Sequence, residues 1–167
     1  ALFADVERLL AFNAHSLSVV EESGAARSVQ VFEAPATAAL WAAPVLFFGC
    51  TRGRVHRVAP LARQPAPCAS LTGHASWVAG LALLGEKLLS CGEDAVVHVW
   101  ATGSLQLLCA LDASPAAVTH VAAFGGRPLT ADSAGRLLRW ELPAPPAEAV
   151  RPQPAKPAAR AERRGRR

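Results

Sequence analysis

Methionine is absent from all 167 positions, the first included, so the chain reads as a segment of something longer. No apolar run approaches the ~20 residues that a membrane-spanning helix needs. The opening stretch ALFADVERLL already carries acids and lacks the basic, apolar and cleavage regions of a secretory signal. Cysteine is scarce. Cys50, Cys68, Cys91 and Cys109 form no C-x-x-C pair and no cluster with histidine at zinc spacing. Each lies in or beside a strand-like apolar run, which points to small buried thiols in a reducing, intracellular compartment, cytoplasmic or nuclear. No metal or cofactor is expected, and no small-molecule substrate.

What is present is apolar and unevenly charged. Hydrophobic residues make up 51% of the chain, enough for one sizeable core or for part of a larger one. The net charge of +4 comes from one end. Residues 143–167 hold seven basic side chains against Glu148 and Glu162, leaving ten basic and eleven acidic residues in the first 142. The sequence therefore divides into a near-neutral body, 1–142, and a basic Pro/Ala/Arg-rich tail, 143–167. The tail lacks aromatics and has the composition of a disordered segment.

The body repeats. The stretch beginning at Leu71, LTGHASWVAGLALLGEKLLSCGEDAVVHVWA, aligns without a gap on LDASPAAVTHVAAFGGRPLTADSAGRLLRWE from Leu111, at an offset of 40. Val78 meets Val118, Gly85 meets Gly125, Ser90 meets Thr130 and Trp100 meets Trp140. Two more worn copies precede them: VLFFGCTRGRVHRV, ending at Val58, and RLLAFNAHSLSVV, ending at Val20. Within each unit, short apolar runs alternate with Gly, Pro, Asp, Asn or Ser, the pattern of antiparallel strands. Four strands per forty residues is one blade of a β-propeller. The third unit predicts strands at Trp77–Leu83, Lys87–Cys91, Val96–Ala101 and Leu105–Ala110.

These features resemble the WD40-repeat family. Gly73-His74 matches its Gly-His pair, and the six-residue step from Asp94 to Trp100 matches its turn aspartate and terminal tryptophan. The resemblance implies an all-β, WD40-type propeller, partial, with about three and a half four-stranded blades followed by a disordered tail. It also implies a structural hydrogen-bonded network of His74, Ser90, Asp94 and Trp100. The sequence departs from the family pattern in several places. Ala101 and Glu141 stand where the name-giving aspartate follows tryptophan, Ala113-Ser114 replaces Gly-His, and Ala134 occupies the turn-aspartate position. No fourth strand is expected after Glu141, where LPAPPAEAV begins. By resemblance, this is the C-terminal part of a longer propeller whose opening strands lie upstream.

His74 and Asp94 invite a catalytic reading, but such a pair needs a nucleophile and a pocket, which Ser90 on a blade strand does not offer; a buried turn carboxylate holding an imidazole suits a scaffold better. The expected function is a non-catalytic protein–protein interaction scaffold or adaptor. Thr51, Arg52, Arg54, Ser76, Glu93 and Ser133, on turns at one end of the blades, are the candidate partner contacts. Two tail motifs add alternatives. Arg151, Pro154 and Pro157 have the spacing of a polyproline II ligand. Arg160, Arg163, Arg164, Arg166 and Arg167 form a basic cluster able to meet nucleic-acid phosphates. The chain would then be an adaptor in an RNA- or chromatin-associated complex, with nucleic acid touched by the tail alone. A substrate-recognition subunit of a ubiquitin ligase is a further alternative. No membrane contact is expected.

Overall fold

The computed structural model describes residues 2–5, 8–21, 23–61, 69–112 and 115–143. Every element in them is a strand, and the strands form four antiparallel sheets, each meandering in chain order. Sheet 1 contains β1 (Leu2–Asp5), β2 (Arg8–Phe12), β3 (Ser16–Glu21) and β4 (Ala26–Val31). Sheet 2 contains β5 (Ala36–Ala42), β6 (Val45–Cys50), β7 (Arg54–Val58) and β8 (Ala69–Thr72). Sheet 3 contains β9 (Val78–Leu84), β10 (Lys87–Gly92), β11 (Val96–Ala101) and β12 (Leu107–Asp112). Sheet 4 has three described strands, β13 (Val118–Phe124), β14 (Arg127–Asp132) and β15 (Leu137–Arg139). The fourth strand of the third unit starts later than its sequence predicts. Leu105 adopts a positive φ of 60° and its N–H closes a turn on the Ala101 carbonyl, so β12 begins only at Leu107.

The sheets stack face to face, and sheets 2, 3 and 4 meet through their first strands, so that β9 lies against β5 on one side and β13 on the other. This explains the continuous apolar runs of the middle strands. A strand in a one-sided sheet alternates apolar and polar residues, whereas a strand between two sheets must be apolar on both faces. In β10, Leu88 turns back toward sheet 2 and packs with Phe47, Val55 and Leu71. Its neighbour Leu89 turns forward, with Val99 and Ala82, against Val121 and Leu142. Both leucines are fully buried. The same alternation puts Leu17 and Val19 of sheet 1 against Leu46, Phe48 and Val58 of sheet 2.

The inner strands approach closely. Thr37 Oγ1 donates a hydrogen bond to the Val78 carbonyl at 2.5 Å, joining sheets 2 and 3 directly. A Cβ at Gly49 would overlap the Val78 side chain, so the glycine is what lets β6 and β9 meet. One backbone device recurs in three sheets. The first turn residue after the second strand donates back to the residue preceding the first strand: Thr51 to Pro35 at 3.0 Å, Glu93 to Trp77 at 3.1 Å and Ser133 to Ala117 at 2.8 Å. Each bond sits beside a register shift in the same strand pair. The repeat read from the sequence is thus a repeat of backbone geometry, including its bulges. The meander places the turns at Asn13–His15, Thr51–Gly53, Glu93–Ala95 and Ser133–Gly135, with the connectors between sheets, at one end of the stack.

Candidate functional site

At that end the third unit carries a chain of polar contacts. Trp100 Nε1 donates to Ser90 Oγ at 2.9 Å, and Ser90 Oγ lies 2.8 Å from His74 Nε2. His74 Nδ1 is 3.0 Å from both oxygens of Asp94. An ionised carboxylate only accepts, so the proton lies on Nδ1 in neutral His74; Nε2 then accepts from the Ser90 hydroxyl, whose oxygen receives the indole N–H. Every side-chain polar atom of this four-residue network has a partner, as burial demands.

Asp94 also holds the loop above it. Its carboxylate accepts from the Ala75 N–H at 2.8 Å and from the Val96 N–H at 3.4 Å. Burial alone pushes this carboxyl up, but the bonds from His74, Ala75 and Val96 outweigh it and leave the pKa below the ordinary 3.8. One carboxylate therefore ties the connector before β9 to the turn after β10, and Ala95 is kept at a positive φ of 65°.

The order Asp–His–Ser is also that of a nucleophilic triad. Here the serine has no exposed surface and its oxygen is already engaged by Trp100. A substrate carbonyl cannot reach it. The arrangement fixes a loop.

Beside this network stands His98, 6% exposed, with its ring centroid 4.3 Å from that of His74 and 5.3 Å from that of Trp100. Its Nδ1 has no hydrogen-bond partner. Burial, reinforced by the nearby His74 and only partly offset by Asp94, lowers its pKa from 6.5 to about 4. His56, at the same register in sheet 2, stacks on Phe48 and bonds Ser70 at 2.8 Å. Burial first, then Arg54, lowers its pKa against an opposing pull from Glu33. Cys91 is buried, and its thiol is pushed up to about 12 by burial. Cys50 is buried too, Cys109 is half-buried, and Cys68 lies outside the described residues.

The other units keep parts of the network. In sheet 4, Trp140 Nε1 donates to Thr130 Oγ1 at 2.9 Å, the counterpart of Trp100 and Ser90. Its turn is held by Asp132, which the sequence reading missed. Asp132 Oδ1 accepts from the N–H groups of Ala134 and Arg136 at 2.9 and 3.0 Å, while Oδ2 pairs with the Arg136 guanidinium at 2.7 Å. The acid has moved two positions upstream of the expected column, so Ala134 leaves the turn no less supported. Its signal was the run Asp132-Ser133-Ala134-Gly135, an acid opening a turn that closes on glycine. In sheet 1, Asn13 does similar work, accepting at 2.8 Å from His15 and from Ser16.

Above these supports lie the candidate contact residues. Arg52, Arg54, Glu93 and Ser133 are exposed, whereas Thr51 and Ser76 are half-buried. Ser76 Oγ donates to Glu93 at 3.2 Å. Gly53, at φ 70°, packs so tightly under the carbonyls of His74 and Ser76 that no Cβ would fit. This brings the turn bearing Arg52 directly beside the loop bearing Ser76. Trp77, whose placement the sequence left open between core and channel mouth, is 50% exposed in the same loop. Ser133 lies on the next sheet along. The tail candidates Arg151, Pro154, Pro157, Arg160, Arg163, Arg164, Arg166 and Arg167 lie outside the described residues.

No family model matches the sequence, and no curated protein does. Solved structures do match. The computationally designed Ika4 protein superposes with a TM-score of 0.74 at 21% identity, over 85% of this chain and 89% of that one. The WD40 β-propeller domain of Doa1 gives 0.70 at 19% identity over 82% and 48%, and a chain of the mitotic checkpoint complex gives 0.65 at 25% over 75% and 41%. The chain thus spans about half the length of the Doa1 and checkpoint chains. Four face-packed antiparallel sheets, a repeat near forty residues and these superpositions together give the fold: an all-β, partial β-propeller of the WD40 type.

Proposed function

We propose that this chain is a non-catalytic interaction scaffold that holds protein partners on the turn end of sheets 2 and 3. The carrying observation is the division of labour there. The set of buried His74, Ser90 and Trp100 with half-buried Asp94 is saturated by its own bonds, while Arg52, Trp77 and Glu93 stand exposed on the loops it rigidifies. Propeller blades are scaffolding, and the fold places variable surface on its loops. Tryptophan and arginine are among the residue types most enriched at the energetic centres of protein interfaces. A rigid loop also loses little entropy on binding. The propeller neighbours, one of them in a mitotic checkpoint complex, support protein partners in general.

A photo-crosslinking residue at position 77, compared with one at position 103 on the opposite end, tests this reading. Position 77 should capture polypeptides and position 103 should not. Capture confined to position 103, or capture of nucleic acid alone at position 77, would remove the reading.

A further inference from the structure

At the end of the stack opposite the candidate contact loops, sheets 2 and 3 part to leave a cleft of about 280 Å³. Three short connections form its mouth: Ala43-Pro44 between β5 and β6, Gly85-Glu86 between β9 and β10, and Thr102-Gly103 after β11. Thr102 ties two of them together, because its N–H and its Oγ1 both donate to the Glu86 carbonyl, at 3.0 and 2.9 Å. Inward, the cleft reaches the buried Phe47 and the half-buried Val45 and Leu83, which pack on the core between the two sheets.

Two opposite charges line this apolar cleft. Arg57 of β7 stands across the ladder from Phe47 and is half-buried, while Glu86 is exposed. Among the described residues neither side chain forms an ion pair or a hydrogen bond. At the other end of the stack, Asp94 and Asp132 are each held by several bonds. Half-burial takes water from the Arg57 guanidinium, and an apolar lining returns nothing for it.

Small-molecule sites are built in this way, mostly apolar with a few charged groups that orient the ligand. This volume lies at the small end of such sites and suits a ligand the size of one amino acid. The charges narrow the class further. A simple carboxylate would satisfy Arg57 but be repelled by Glu86, and an amine would reverse the problem. A zwitterion answers both.

We propose that the cleft between sheets 2 and 3 binds a free α-amino acid with an apolar side chain. Its carboxylate pairs with Arg57, its ammonium group with Glu86, and its side chain lies against Val45, Phe47 and Leu83. Neither end of the chain contributes to this site. It is also independent of the proposed loop contacts, which lie at the opposite end of the stack.

Calorimetric titration of the whole chain with L-leucine and with L-phenylalanine tests the assignment. At least one should bind with a Kd of about 1 mM or below. The corresponding deaminated acid and decarboxylated amine should each bind at least about tenfold more weakly. Arg57→Gln and Glu86→Gln should each weaken the amino acid by about tenfold, the first without weakening the amine and the second without weakening the acid. Gly103→Leu is a steric variant that keeps both charges. Gly103 is not at a positive φ and a Cβ there meets nothing within 4 Å, so the added side chain fills open space at the mouth. It should abolish binding with an unchanged melting temperature. Absence of binding for both amino acids at about 10 mM would overturn the proposal. So would equal affinity for the deaminated acid, or for the N-acetylated amino acid, which stands for the last residue of a polypeptide. Binding that all three variants leave intact would overturn it as well.

Discussion

Sheets 3 and 4 descend from one pattern and end in different physical states. Both pair a strand hydroxyl with a terminal tryptophan, Ser90 with Trp100 and Thr130 with Trp140. Both hold the following turn with a carboxylate, Asp94 or Asp132. Sheet 3, however, lies between two neighbours, and its middle strands are buried almost throughout. Among the described residues sheet 4 has a neighbour on one face only, and its last described strand is largely exposed. The local polar devices are thus much alike with and without a second neighbour. What the neighbour adds is apolar burial, worth about 25 cal/mol for each Å² removed from water.

The largest expected effect breaks the comparison at the joint. Leu89→Ala should cost about 2–5 kcal/mol, because it opens a cavity between two packed sheets. Leu129→Ala, at the equivalent half-buried position of sheet 4, should cost less, about 1 kcal/mol. Urea melts of the two variants check this. Equal costs would mean that the forward face of sheet 4 is already covered.

The polar supports come next. Asp94→Ala or His74→Ala should destabilise by about 1–3 kcal/mol, the penalty for orphaning buried hydrogen-bonding groups. Asp132→Ala should fall at the lower end of that range, since its partner Arg136 is exposed and can return to water. Binding should fall only as far as folding does. An Asp94→Ala protein with unchanged melting and no partner binding would make Asp94 a contact residue.

A smaller effect depends on pH. Folded His98 takes up its proton near pH 4, against 6.5 in the unfolded chain. Between those values the unfolded state binds more protons. His98 therefore contributes its full stability above about pH 6.5, and that contribution is lost as pH falls toward 4. Asp94, held below 3.8, adds a further loss at more acid pH. Sheet 4 carries Leu138 at the His98 register. His98→Leu should accordingly reduce the drop in melting temperature between pH 7 and pH 5, and an unaltered drop would place the titrating group elsewhere.

The smallest effect on stability should come from the loops. Trp77→Ala and Arg52→Ala should change folding by no more than about 0.5 kcal/mol, as is usual for exposed positions, while weakening partner capture the most. Calorimetry and capture assays on the same preparations separate the two.

Much of this was legible in the residues, for identifiable reasons. The strands and the repeat could be read because a two-sided sheet forces unbroken apolar runs with turn residues between them, as in VLFFGC and KLLSCG. The set of His74, Ser90, Asp94 and Trp100 came from the family resemblance, carried by the Gly-His pair and the step from Asp94 to Trp100, and its polar atoms do bond one another. Asp132 escaped because a carboxylate can reach the same turn N–H groups from two positions away, which a column-by-column comparison overlooks. Trp77 could not be placed because the residue before an inner strand faces core or solvent according to the bulge beside it, and the bulge is set by the pairing of Glu93 with Trp77. The open face of sheet 4 was invisible for a different reason. Leu137 looks like a core residue, and only the arrangement of the sheets shows that it is left exposed among the described residues.

The most direct measurement is amide hydrogen exchange, followed strand by strand. The account predicts that β10 and β11, packed between two sheets, are the best protected, and that β14 and β15 exchange faster. Equal protection of sheets 3 and 4 would contradict it.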